Sequence, residues 1–167
     1  MFKSNFIRAT LLALAVSVQP ACQAPPTDPS TDFSIDRQNP ATLVDPTAFG
    51  YSQIVTVNNG KLVFIAGQGP TNAEGKAVGR GDLAAQTRQA VDNILAALAA
   101  VGAGPENIVY TRINVVDYEP KKLMQMAPEL ARLKADGELA QASVFVGVES
   151  LIVPGTLVEI ETVAAIP

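Results

Sequence analysis

The chain has 167 residues, 48% of them apolar and 17% charged, which suits one globular domain and is too short for two comfortable ones. Net charge is −4 and the 12 basic residues are scattered, so no nucleic-acid partner is expected. With no histidine and a single cysteine, His-based acid/base chemistry, His triads, Cys-cluster zinc sites and internal disulfides are excluded, and neither a cofactor nor a metal is expected.

Residues 1–24 read as an export signal. Lys3 and Arg8 give a positive start, and residues 9–18 (ATLLALAVSV) form an apolar core. That core falls short of the roughly 20 residues a bilayer-spanning helix needs. Cys22, preceded by Ala21, sits where a bacterial lipoprotein carries its acylated cysteine. Three readings stand, lipidation at Cys22, plain signal-peptidase cleavage, or retention of the leader. The first two place the protein in the periplasm, and a membrane is expected to be touched only through a lipid at Cys22. Residues 25–48 hold Pro25, Pro26, Pro29, Pro40 and Pro46 among Thr, Asp and Ser, a composition that predicts a flexible tether. The folded domain is expected over 49–167.

Residues 51–57 (YSQIVTV) alternate as a strand, and Asn58-Asn59-Gly60 is a strong hairpin signal leading into a buried strand at 62–66 (LVFIA). The glycine-bearing loop 71–81 lacks the GKS/GKT ending of a phosphate cradle. Asp82 is a good N-cap for a helix over 83–101, whose apolar face is Leu83, Thr87, Ala90, Val91, Ile94, Leu98 and Val101. Residues 108–116 form a third strand. A second helix over 120–135 opens at Pro120 and is expected to kink or split at Pro128.

Residues 142–161 (ASVFVGVESLIVPGTLVEIE) supply the last two strands, joined through Pro154-Gly155. In the final strand Leu157, Glu159, Glu161 and Val163 share one face, and Val158, Ile160, Thr162 and Ala164 the other. A glutamate between Val158 and Ile160 is costly to desolvate unless it is paired, hydrogen-bonded or protonated. The order β-β-α-β-α-β-β predicts a two-layer α+β fold, one mixed sheet with both helices on one face. The uncovered face still carries Val, Ile and Phe, so association is expected.

Three stretches, LVFIAGQGP, AAQTRQAVDNILAALAAVGAGPENIV and LVEIETVAAI, together resemble the RidA family of reactive-intermediate deaminases over roughly residues 50–166. The resemblance implies a chorismate-mutase-like fold. It also implies a homotrimer with a barrel-like core and three inter-subunit clefts, where a small-molecule imine or enamine is hydrolysed to a carbonyl compound and ammonia. Tyr51 in GYSQ matches the family's pocket tyrosine, Glu159 the acid that positions or activates water, and Gly67 the glycine whose backbone helps hold the ligand. Ala66 stands where a serine is common, Gln125 aligns with a helix asparagine, and Phe145 takes the place of a pocket cysteine.

Ser143 occupies the position of the arginine that holds a substrate carboxylate. A guanidinium supplies two parallel charge-assisted hydrogen bonds where a hydroxyl supplies one neutral bond, a difference of roughly 10- to 150-fold in binding. The expectation is an exported RidA-like imine/enamine deaminase with weak or altered substrate use. The alternative is a non-catalytic ligand-binding or structural trimer.

Overall fold

The computed structural model describes residues 32–135 and 140–167. The expected leader and Cys22 lie outside the described residues, and no helix among those described is long and apolar enough to cross a membrane. Eight main elements follow in order: β1 (Ser34–Gln38), β2 (Ile54–Asn58), β3 (Lys61–Gln68), α1 (Leu83–Ala100), β4 (Ile108–Val116), α2 (Pro120–Leu130), β5 (Ala142–Val148) and β6 (Val158–Ile166).

The main sheet has strand order β3-β6-β4-β5. β6 runs antiparallel to both neighbours, whereas β4 and β5 are parallel. Its helix-side face is Val158, Ile160, Thr162 and Ala164, all buried, as the alternation predicted. α1 lies over this face. Asp82 caps it by accepting from Ala85 N at 3.0 Å, and Leu83, Thr87, Ala90, Val91, Ile94 and Leu98 all point inward. Thr87 sits at a core position without cost because its hydroxyl donates to Leu83 O at 2.7 Å. Ile94 and Leu98 are wholly inaccessible, and each contributes about 1.5–3 kcal/mol of burial. Ile113 and Val115 of β4, with Met126 and Leu133, complete the same core.

α2 is joined to α1 by an ion-pair network. Arg88 Nε donates to Glu129 at 2.8 Å, while Arg132 bridges Glu129 at 3.1 Å and Asp92 at 2.6 Å. Burial pushes the Glu129 carboxyl up, but the hydrogen bonds and charges of Arg132 and Arg88 outweigh it and hold the group below the usual glutamate range.

Four features differ from the expectations. Ser34–Gln38, inside the stretch expected to be a flexible tether, is a strand paired antiparallel with β2. It is tied to the domain by Arg37, whose guanidinium donates to Glu106 O at 2.7 Å and Ile108 O at 3.2 Å. Secondly, β2 and β3 follow one another through Asn59 (φ 50°) and Gly60 but belong to different sheets. The hydrogen-bonding edge of β2 is taken by β1, and the Phe33 ring lies against Gly60, where a Cβ would come within 2.7 Å of it.

Thirdly, the last two strands are not neighbours, because β4 lies between β5 and β6. Finally, of the kink or split expected at Pro128 the split does not occur, and the helix ends at Leu130, short of the expected 135. It tightens there into a 3-10 turn at Ala131–Leu133. The backbone bond that proline forfeits is the one to the carbonyl of Met124, on the exposed side of the helix.

The face away from the helices is open. Leu62 and Phe64 are 53% and 76% exposed there. Beside them Arg112 Nε donates to Asn114 Oδ1 at 3.1 Å, and Asn114 Nδ2 donates to Glu161 Oε1 at 3.4 Å.

Candidate functional site

Pairing between β3 and β6 slips near the end of β3. Ile65 faces Thr162 and Gln68 faces Ile160, so three steps on one strand meet two on the other. The extra residue makes a bulge at Ala66-Gly67, a device that re-aims neighbouring groups. Glu159 fills the space this opens. A Cβ at Gly67 would lie 2.7 Å from Glu159 Cδ and 2.9 Å from Cγ and Oε1, so glycine is what lets the carboxyl rest on this backbone. Glu159 is half-buried, and no described residue donates a hydrogen bond to its carboxylate. The acid that the sequence leaves in need of a partner has none among the described residues. It faces a cleft of about 410 Å³, lined also by Gly69, Thr71, Asn93, Ile152 and Thr156.

Two polar side chains of α1 hold the walls of this cleft. Asn93 Nδ2 donates to Gly69 O at 3.1 Å and Thr71 O at 2.8 Å, fixing the loop after β3. Gln86 donates to Gly79 O at 3.1 Å and Gly155 O at 3.0 Å, and its Oε1 accepts from Leu157 N at 2.7 Å. It thereby pins the Pro154-Gly155 turn and the approach to Glu159. Sequence reasoning missed both residues. For Gln86 a signal existed: it is a polar residue on the apolar face of α1, next to Thr87 and one turn from Leu83 and Ala90.

Ser143 and Phe145 lie at the opposite edge of the sheet, on β5. Both point to the helix side, in register with Thr111 and Ile113, into a cavity of about 140 Å³ under α2. Leu123, Ala127 and Leu130 form its apolar wall, and Gln141, Lys134 and Gly50 its polar rim. Gln141 Nε2 donates to Thr111 Oγ1 at 3.2 Å, and Phe145 meets Tyr118 with ring centroids 5.4 Å apart. Ser52 docks the entering chain by donating its N–H to Gln141 O at 3.0 Å and its hydroxyl to Ala140 O.

The remaining predicted residues line neither space. Tyr51 is half-buried between Gly50 and Ser52, Ala66 is exposed with its carbonyl accepting from Gln68 Nε2 at 3.0 Å, and Gln125 is exposed on α2. Arg112 does not stand in for the absent arginine: it lies on the open face, across the sheet from Ser143. Among the described residues no group of three His, Cys, Asp or Glu is placed to hold a metal ion.

Within one chain, then, the acid cluster (Gly67, Glu159) and the anchor cluster (Ser143, Phe145) are separate. Gly67 on β3 stands three strand spacings, roughly 14 Å, from β5, and Glu159 on β6 two spacings, roughly 10 Å. Glu159 and Ser143 also leave opposite faces of the sheet. No small molecule can touch both in one copy.

Comparison with known proteins gives a consistent answer. The family described as Endoribonuclease L-PSP matches residues 42–166. The crystal structure of a Rid-family protein, YyfB from Yersinia pestis, superposes with a TM-score of 0.74 at 36% identity, covering 79% of this chain and 98% of that one. A RutC family protein from Pyrococcus horikoshii is 32% identical over 115 residues, 68% of this chain and 85% of its own length. Protein DfrA from Myxococcus xanthus is 37% identical over 73 residues, 43% of this chain, and the match spans little more than half of DfrA, 56%. The α+β architecture is accordingly the chorismate-mutase-like fold of the Rid proteins, and the chain belongs to the endoribonuclease L-PSP family, that of RidA.

Proposed function

We propose that this protein binds a small imine or enamine in clefts between copies of the chain and hydrolyses it to a carbonyl compound and ammonia. The observation that carries this reading is the carboxylate of Glu159, laid on the Gly67 backbone with no partner among the described residues and facing a cleft. In the reaction Glu159 takes a proton from water as the water oxygen bonds to the C=N carbon, and the nitrogen gains a proton. The resulting carbinolamine loses ammonia as the C–N bond breaks, the hydroxyl giving its proton through the Glu159 carboxylate to the leaving nitrogen while its oxygen becomes the carbonyl. An enamine enters the same path after protonation at carbon.

The separation of the two clusters supports an assembled site. If the β5 edge of one copy meets the β3 edge of the next, the anchor cluster faces the acid cluster across each seam. Such a head-to-tail contact closes into a ring. A trimer of this kind would also cover Leu62 and Phe64. Export to the periplasm, with or without a lipid at Cys22, belongs to the same proposal. The family's description as an endoribonuclease is weakly supported here, since a net charge of −4 gives an RNA backbone little to hold.

A second reading, a non-catalytic binding trimer, is favoured by Ser143 in place of the anchoring arginine. The test is to add purified protein to 2-iminobutanoate generated in situ and follow its decay with semicarbazide trapping, while light scattering reports the assembly. The deaminase reading expects a trimer that accelerates decay and loses that acceleration in Glu159→Gln. A trimer in which wild type and Glu159→Gln are equally inert establishes the second reading.

A further inference from the structure

The cleft that Glu159 faces combines one charge with one apolar wall. Among the side chains lining its roughly 410 Å³, Glu159 alone is ionisable. The link between β5 and β6 contributes Leu151, Ile152 and Val153 in succession to the same lining. Ile152 is 90% exposed and Val153 49%. Large apolar side chains so open to water, at the rim of a cleft that holds a carboxylate, have burial still to gain from a ligand.

This wall is fixed from two sides. The chain reverses at Pro154-Gly155, where Gly155 has φ +85° and Thr156 N donates to Val153 O at 3.1 Å. From α1, Gln86 Nε2 donates to Gly155 O at 3.0 Å and Gln86 Oε1 accepts from Leu157 N at 2.7 Å. The loop after β3, which lines the cleft with Gly69 and Thr71, is held by Asn93 through the carbonyls of both residues. A preformed cleft with a carboxylate, backbone carbonyls and an apolar rim matches one ligand chemistry. That ligand is a small molecule with a proton-bearing nitrogen at one end and an alkyl group at the other.

We infer that Ile152 and Val153 determine substrate specificity, and that the site selects imines by the length of their alkyl chain. The inference rests on the deaminase reading for the reaction, though not for the binding of the alkyl group. The C=N nitrogen, protonated during hydrolysis, lies toward Glu159, while the carbon chain lies along Ile152 and Val153. A methylene moved fully from water onto an apolar surface strengthens binding about 4-fold, and one half covered about 2-fold. An open wall of this kind reads length and not functional groups, because it offers the chain no hydrogen-bonding side chain.

The experiment follows hydrolysis of 2-imino acids of three to six carbons, generated in situ by an amino-acid oxidase and trapped with semicarbazide. The stable products, 2-oxopropanoate to 2-oxohexanoate, are titrated by calorimetry. Wild type is compared with Ile152→Ser, Ile152→Leu and the double variant Ile152→Ser/Val153→Ser, with light scattering to check assembly. Wild type is expected to gain about 2- to 4-fold in kcat/KM and in affinity with each added methylene. Ile152→Ser should lose part of that gain, the double variant most of it, and Ile152→Leu little. If wild type turns over imines but is indifferent to chain length, or the double variant keeps the wild-type dependence, the inference is overturned and the deaminase reading stands. If Ile152→Ser breaks the assembly, Ile152 is a contact between copies and the inference is likewise overturned. If 2-oxo acids bind with the expected dependence on Ile152 but no imine is turned over, the wall stands and the deaminase reading fails. Failure of wild type to bind or turn over any of these compounds overturns both.

Discussion

The carboxyl of Glu159 rests on the backbone of Gly67, at a bulge that gives β3 one residue more than β6. The two residues specify each other's place: the glycine makes room, and the acid fills a space that any side chain at position 67 would take. Gly67→Ala is expected to cost less than about 1 kcal/mol in stability, because the group displaced is the mobile end of a side chain. It is expected to abolish whatever activity depends on Glu159. Thermal unfolding and imine hydrolysis on the same sample check this; an active Gly67→Ala protein would show that the carboxyl need not sit there.

Gln86 makes three hydrogen bonds from a buried position on α1, two to the carbonyls of Gly79 and Gly155 and one from the N–H that leads into β6. Gln86→Ala leaves those backbone groups without partners, which costs about 2–3 kcal/mol. Urea unfolding should show a lower midpoint with unchanged slope. Hydrogen exchange at Leu157 should accelerate beyond the global change, and equal protection there would refute the role assigned to Gln86.

The Glu129 network gives the fold a pH dependence with a definite sign. The Glu129 carboxyl is held below the ordinary glutamate value of 4.5 in the folded protein. The stability it contributes is therefore present in full above that value and is lost as pH falls through the lowered one. Its side chain is only 13% exposed, but Arg88 is 62% exposed, so solvent screens the pairs and the network contributes about 1 kcal/mol. Glu129→Gln should lower stability by that amount at pH 7 and leave the difference from wild type smaller at pH 3. A difference that grows on acidification would contradict the assignment.

Thr162 faces α1 from the middle of β6, buried, and its hydroxyl has no hydrogen-bond partner among the described residues. Burying an unpaired hydroxyl is a cost that an isosteric methyl avoids. Thr162→Val is expected to raise stability by about 1 kcal/mol, read from chemical unfolding. A destabilised variant would mean that the hydroxyl has a partner in the assembled protein.

Much of this was legible in the chain itself. The period of α1 and its Asp82 cap, the face on which Glu159 lies, and the order of the elements from β2 onward are all local properties. Each is set by how a side chain three, four or two residues away meets the same environment. The quoted motifs likewise carry the family, because they are contiguous. Pairing was not legible. Ser34–Gln38 has the composition of a tether and is a strand only because β2 offers it an edge and Arg37 finds two carbonyls 69 and 71 residues away. The Asn-Asn-Gly turn does not make a hairpin, since β2 pairs with β1 and β3 with β6, and β4 comes between the last two strands through contacts no local pattern records.

The site shows the same division. Sequence alone placed an acid at position 159 and a serine at 143, where the family resemblance leads one to expect an arginine. Only the tertiary structure decided that these two positions leave opposite faces of the sheet from strands two apart, that Glu159 has no partner among the described residues, and that Lys134 lines the same cavity as Ser143. Periodicity reports the environment of each residue singly. Which cation reaches which cavity depends on the packing of elements far apart in the chain, here a turn before β2 and the end of the α2 segment.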